Sequence, residues 1–258
     1  MKFPSFDAKT MAPRPLKELE GVWLELFADM KRSPDRYGID AKQLAAPFLS
    51  CSSLAYTSGT QGTVMLVGKA TLGMNTLGSN PVQETYSIDA IKSRREAVIE
   101  EVILKGEHSP FMRFAESLSN VILTETGKNF ETFENLIWTN IAKIGVILEN
   151  PSGKYFSAQM ELAVETLAAE IDYYKPSLVV TSTAWFGYGP LRRAIPEMWD
   201  DHPNHSDRKD EKQDWWVYPA KGERPAFLWT KHPQAKATAT LDIWLEEAQR
   251  LSRGGGLN

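Results

Sequence analysis

Four short apolar runs along the chain each end in polar residues. Val64-Met65-Leu66-Val67 meets Gly68 and opens into a small polar loop, Lys69-Ala70-Thr71-Leu72-Gly73-Met74-Asn75. Leu136-Ile137-Trp138 runs into Thr139-Asn140, Leu178-Val179-Val180 into Thr181-Ser182, and Ala226-Phe227-Leu228-Trp229 into Thr230-Lys231-His232-Pro233. Continuous apolar runs of this length, bounded by turn residues, read as strands buried on both faces of a parallel sheet. Between them the period changes to that of a helix. Leu19, Val22, Trp23, Leu26, Phe27 and Met30 share one face, ending near Ser33-Pro34, and a second short helix is expected to carry Leu44, Phe48 and Leu49. Ile91, Val98, Val102 and Ile103 fit a helix within Ile88 to Lys105, and Ser109-Pro110 opens another bearing Phe111, Phe114, Leu118, Val121 and Ile122. The clearest helix runs from about Ser157 to Tyr174 and breaks at Lys175-Pro176, and a final one spans Ala237 to Leu251. Trp215 to Tyr218 reads as a strand leading back to the sheet.

A helix followed at once by a buried strand, as at Tyr174 to Leu178, is half of a βαβ unit. The expected fold is therefore α/β, a three-layer sandwich around a central four-stranded parallel sheet, with added amino-terminal helices. In residue numbers this means a helical extension over 1–58, the α/β domain over 59–253 and a glycine-rich tail over 254–258. The extension either caps one side of the core or presents a surface to a partner. Ligands of open parallel sheets bind at the carboxyl ends of the strands. If the four runs are neighbours, Lys69, Thr71, Asn75, Asn140 and His232 meet at one cleft.

Composition narrows the chemistry. With 258 residues, 24% charged and 42% hydrophobic, the chain is an ordinary globular one, and its net charge of -4 provides no global attraction for nucleic acid. A positive rim around the cleft is still expected from Lys69, Arg192, Arg193, Lys231 and Lys236. The single cysteine, Cys51, excludes an internal disulfide and any iron–sulfur cluster held by four thiolates of this chain. No run approaches the about 18 apolar residues of a spanning helix, and the first residues lack an apolar signal core, so a cytoplasmic protein without membrane partners is expected. Gly68 and Gly73 fit neither a phosphate loop nor a dinucleotide fingerprint, so no cofactor is indicated. His202 and His205, with Asp201 or Asp207, sit in a polar turn lacking a rigid third ligand, and no metal is expected there.

Two residues suggest recognition of a base. The carboxamide of Asn140 offers both an acceptor and donors to a planar amide edge, although Asn is also a common loop cap. His232 can donate a hydrogen bond to an oxygen on which negative charge develops, although a strand-end His is also often structural. The order of Val64-Met65-Leu66-Val67-Gly68-Lys69-Ala70-Thr71, Ile137-Trp138-Thr139-Asn140, Tyr174-Lys175-Pro176-Ser177-Leu178 and Trp229-Thr230-Lys231-His232-Pro233 resembles the uracil-DNA glycosylase superfamily. That resemblance covers roughly residues 61 to 250. It implies that Asn140 reads an extruded base, that His232 stabilises the departing base anion, and that Gly68 and Thr71 help form the pocket. Tyr86 would be the stacking aromatic, with Trp185 or Phe186 as substitutes, and DNA or another nucleobase-containing ligand the partner. One position departs from the pattern: the superfamily commonly has an acid just after the first Gly, and here it is Lys69. Asn75 is left to position water, with Glu84 or Asp89 as alternative carboxylates. Lys69 itself either faces solvent, pairs with a phosphate or acts as an amine nucleophile. A non-catalytic relative binding a base, nucleotide or nucleic-acid end is the second reading, and a purely structural or partner-binding protein the third.

Overall fold

The computed structural model describes residues 3–8, 10–44, 47, 64–70, 110–126, 136–146, 153–183, 193–194, 215–218, 220, 222, 224–234 and 236–253. In chain order these form α1 (Leu16–Arg32), α2 (Pro34–Tyr37), a 3-10 turn (Ala41–Gln43), β1 (Val64–Ala70), α3 (Pro110–Thr126), β2 (Leu136–Ala142), α4 (Gly153–Tyr174), β3 (Leu178–Ser182), β4 (Trp215–Tyr218), β5 (Ala226–Thr230) and α5 (Thr238–Ser252). Among the described residues the strands make one sheet in the order β2-β1-β3-β5-β4. Neighbours in the first four are parallel, while β4 runs antiparallel to β5, pairing Trp215 with Thr230 and Tyr218 with Phe227. The sheet is thus five-stranded and mixed rather than four-stranded and parallel. The aromatic run Trp215 to Tyr218 supplies the extra margin, and Trp216 packs on Trp229 at 4.1 Å between ring centroids.

Register and side-chain alternation give the sheet two distinct faces. Val64, Leu66, Leu136, Trp138, Leu178, Val180, Ala226 and Leu228 share a core with Phe114, Leu118 and Ile122 of α3 and Trp244, Ala248 and Leu251 of α5. Met65, Val67, Ile137, Val179, Phe227 and Trp229 point the other way, onto Val164 and Leu167 of α4. Because β1 carries the same register to both neighbours, the first face is built in cross-strand ranks. Leu136, Val64, Leu178 and Ala226 form one, and Trp138, Leu66, Val180 and Leu228 the next.

α1 packs chiefly on α4, with its first residue, Leu16, also against the cluster beneath the sheet. Leu19, Trp23, Leu26, Phe27 and Met30 are fully buried in a third cluster with Leu162, Ala163 and Ala169 on the outer side of α4. The expected helix at Leu44 is a correction of a different kind. Leu44 follows the 3-10 turn with extended backbone and bridges antiparallel to Val146, while Phe48 and Leu49 lie outside the described residues. α4 begins a turn earlier than its apolar period suggested and ends where expected. Lys175 takes a left-handed φ of 47°, its N–H bonds the Ile171 carbonyl at 2.9 Å, and Pro176 cannot continue the helix.

Candidate functional site

The strands run further than their apolar residues. β1 continues through Gly68 and Lys69 to Ala70, β2 through Asn140 to Ala142, and β3 through Thr181 to Ser182. Asn140 is therefore not at a tip but within β2, opposite Gly68 and only 2% exposed. Val67 pairs with Thr181 and Ser182 with Thr230, so the third rank on the α3 face reads Asn140, Gly68, Ser182, Thr230. The first two ranks are apolar, and the third, at the carboxyl end, is polar or bare.

Gly68 is required there by close approach. A Cβ on residue 68 would lie 2.4 Å from Asn140 Oδ1 and 3.2 Å from Phe111 Cζ. The glycine thus lets the carboxamide lie across β1 beneath the aromatic ring. Asn140 Nδ2 is buried and has no hydrogen-bond partner among the described residues. A buried amide N–H group left unpaired costs about 1–3 kcal/mol, a cost that an acceptor on a bound molecule would offset.

Phe111, in the first turn of α3, links Asn140 and His232. Its ring packs over Gly68, lies 5.7 Å from Trp138, and stacks against His232 at 6.1 Å with 18° between planes. The imidazole is held by its own turn. Nδ1 accepts the backbone N–H of Gln234 at 3.2 Å, and the N–H of Lys236 bonds the Pro233 carbonyl. Burial, reinforced by the positive charge of Lys69, pushes His232 down to about 4. At neutral pH the ring is therefore uncharged. With Nδ1 an acceptor, its proton sits on Nε2, which becomes a donor.

Lys69 is half-buried, and burial lowers its pKa below the usual lysine range. Alternation directs it toward the opposite side of β1 from Gly68, yet its charge is felt at His232. The structure thus brings Gly68, Asn140 and His232 together around Phe111, with Lys69 at the border. Thr71, Asn75, Tyr86, Trp185, Phe186, Glu84, Asp89 and Arg192, as well as His202 and His205, lie outside the described residues. Arg193 does not join a positive rim. Its guanidinium bonds both carboxylate oxygens of Glu161 at 2.6 Å and the Phe6 carbonyl at 3.1 Å.

Comparison of the sequence with protein-family models and with curated proteins gives no match. What these side chains do must follow from their chemistry. Phe111 and Ser182 were the site-forming residues that periodicity did not single out. Phe111 fits the apolar stripe of α3 as well as any core residue, and its only distinguishing mark is its place beside Pro110 at the helix start. Behind the site, Lys143 bonds both carboxylate oxygens of Glu170 at 2.7 and 2.8 Å and also donates to Thr139, with all three side chains fully buried. A cavity of about 290 Å³ lies at the other end of the sheet, among Phe6, Pro13, Ile171, Pro176, Arg224 and Phe227. No helix among the described residues is long and apolar enough to cross a membrane.

Proposed function

We propose that the protein is a glycosylase-like hydrolase of the uracil-DNA glycosylase kind, which extrudes a damaged or deaminated base from DNA and hydrolyses its N-glycosidic bond. The observation that carries this reading is the buried Nδ2 of Asn140, without a hydrogen-bond partner among the described residues and set beneath Phe111, whose ring stacks on a neutral His232. Two fixed donors set beside one aromatic ring suit a planar ring with carbonyl oxygens on either side. An amino group in place of a carbonyl would put donor against donor at Asn140.

In this mechanism the flipped base slides against Phe111, Asn140 reads its pairing edge, and His232 hydrogen-bonds the oxygen that gains charge as the C1′–N bond breaks. A neutral donor is suited to that task, because its N–H hydrogen-bonds the anion while the proton stays on the imidazole. The charge of Lys69, sensed at His232, favours the departing anion. Water adds at C1′ and its proton ends on the released base. Asn75 would position that water, with Thr71 and Tyr86 completing the pocket.

The lysine where an acid is expected favours a second reading, a relative that binds a base or nucleotide in this cleft without hydrolysis. The test is base release from single- and double-stranded oligonucleotides carrying uracil, xanthine or hypoxanthine, read as abasic sites. The hydrolase reading expects release that falls about a hundredfold in both N140A and H232A. Binding of free base that is lost in N140A, with no release by wild type on any substrate, moves the assignment to the second reading.

A further inference from the structure

The polar rank beneath Phe111 contains another buried group in want of a partner. Ser182 closes β3, is fully buried, and its Oγ makes no hydrogen bond among the described residues. Alternation puts it on the face of Leu178 and Val180, which is also the face of Asn140 and Gly68. Of its two lateral neighbours, Gly68 has no side chain, and Thr230 donates its hydroxyl to the Thr181 carbonyl at 3.2 Å. Thr181 Oγ1 is likewise unpaired, but it points to the α4 side. Asn140 is on β2 and His232 follows β5, so a molecule held by both must cross the ends of β1 and β3. Beneath it, on that face, lie Gly68, covered by the Asn140 carboxamide, and the hydroxyl of Ser182.

We propose that Ser182 is a specificity residue of this pocket, its hydroxyl accepting a hydrogen bond from the ring N–H that lies between two carbonyl groups of the bound base. This deepens the glycosylase reading and rests on it. Across the sheet the outer groups are donors, Asn140 Nδ2 and His232 Nε2, and between them lie two acceptors, Asn140 Oδ1 over Gly68 and Ser182 Oγ. An imide edge, carbonyl, N–H, carbonyl, presents the complementary order, and uracil and xanthine both have one. The hydroxyl's own proton remains for another acceptor in the pocket. A base methylated on the imide nitrogen loses the donor and brings a methyl group against the hydroxyl.

The experiment compares wild type, S182A and, as a control on the other face, T181V. Thermal unfolding without ligand is measured first, then affinity for free uracil and 3-methyluracil, then kcat/KM for uracil and hypoxanthine release from oligonucleotides. S182A is expected to unfold at or above the wild-type temperature, because no bond of the fold is lost, and to bind and release uracil about tenfold more weakly. Its preference for uracil over 3-methyluracil should collapse, while T181V keeps the wild-type preference. A fall of several degrees in S182A with the preference intact assigns the hydroxyl to the fold and overturns the proposal. So does uracil release by S182A within twofold of wild type, or release confined to hypoxanthine; both outcomes leave the glycosylase reading standing. A wild-type protein that neither binds nor releases any of these bases overturns that reading and Ser182's role with it.

Discussion

At His232, burial and a backbone hydrogen bond select one charge state and one tautomer. Because the folded pKa lies near 4, below the ordinary value of 6.5, the unfolded chain takes up this proton first as the pH falls. The contribution of His232 to stability is therefore complete above about pH 6.5 and is lost as the pH drops from there through 4. Its Nε2 donor persists over the same range. We expect the imidazole resonances of His232 to titrate near pH 4, and K69M to raise that midpoint only in part, since burial is the larger cause and survives the substitution. A midpoint at 6 or above in wild type would mean that the ring is solvated and is not the neutral donor described. Of the features at this scale, Asn140 and His232 stand out in the sequence as polar residues that follow apolar runs. The neutrality of the ring does not, since it depends on Phe111 and Lys69, distant from it along the chain.

At the scale of the elements, apolar runs located β1, β2, β3 and β5 but stopped each of the first three short. The reason is physical. A parallel strand keeps its ladder bonds through polar residues when a covering helix still shields them, so hydrophobicity ends before the strand does. Thr139, Asn140, Thr181 and Ser182 are all buried strand residues of this type. Lys143 and Glu170 also escaped notice, because nothing in the sequence joins a lysine after β2 to a glutamate in α4. Their pair ties the end of β2 to α4 next to Asn140. Removing one member strands the other charge in the interior, so K143M should lower the unfolding free energy by about 3–5 kcal/mol in a denaturant titration. Replacing both, as in K143M with E170L, should recover most of that loss. A K143M protein within about 1 kcal/mol of wild type would show that the pair is hydrated and not a clamp.

For the molecule as a whole, α3 and α5 cover one face of the sheet, α4 the other, and α1 adds a further layer outside α4. An amphipathic α1 was legible from its period, but the surface it would cover was not, since sheet and helix bury the same apolar stripe. The contact is specific. Trp23 is fully buried with its Nε1–H donated to Thr166 Oγ1 at 2.9 Å, and Arg14 grips Glu165 through Nε and a terminal nitrogen at 2.9 and 2.8 Å. W23A should thus destabilise the whole protein by about 3–5 kcal/mol in a single cooperative transition. Two separate transitions would instead mark the amino-terminal layer as an independent unit. A helix hemmed in on both flanks also constrains how a long polymer can approach. With α1 lying along the back of α4, that side of the helix is closed to any ligand. A ligand that touches both Phe111 and His232 therefore approaches from the other face of the sheet, where the His-Pro turn meets the start of α3.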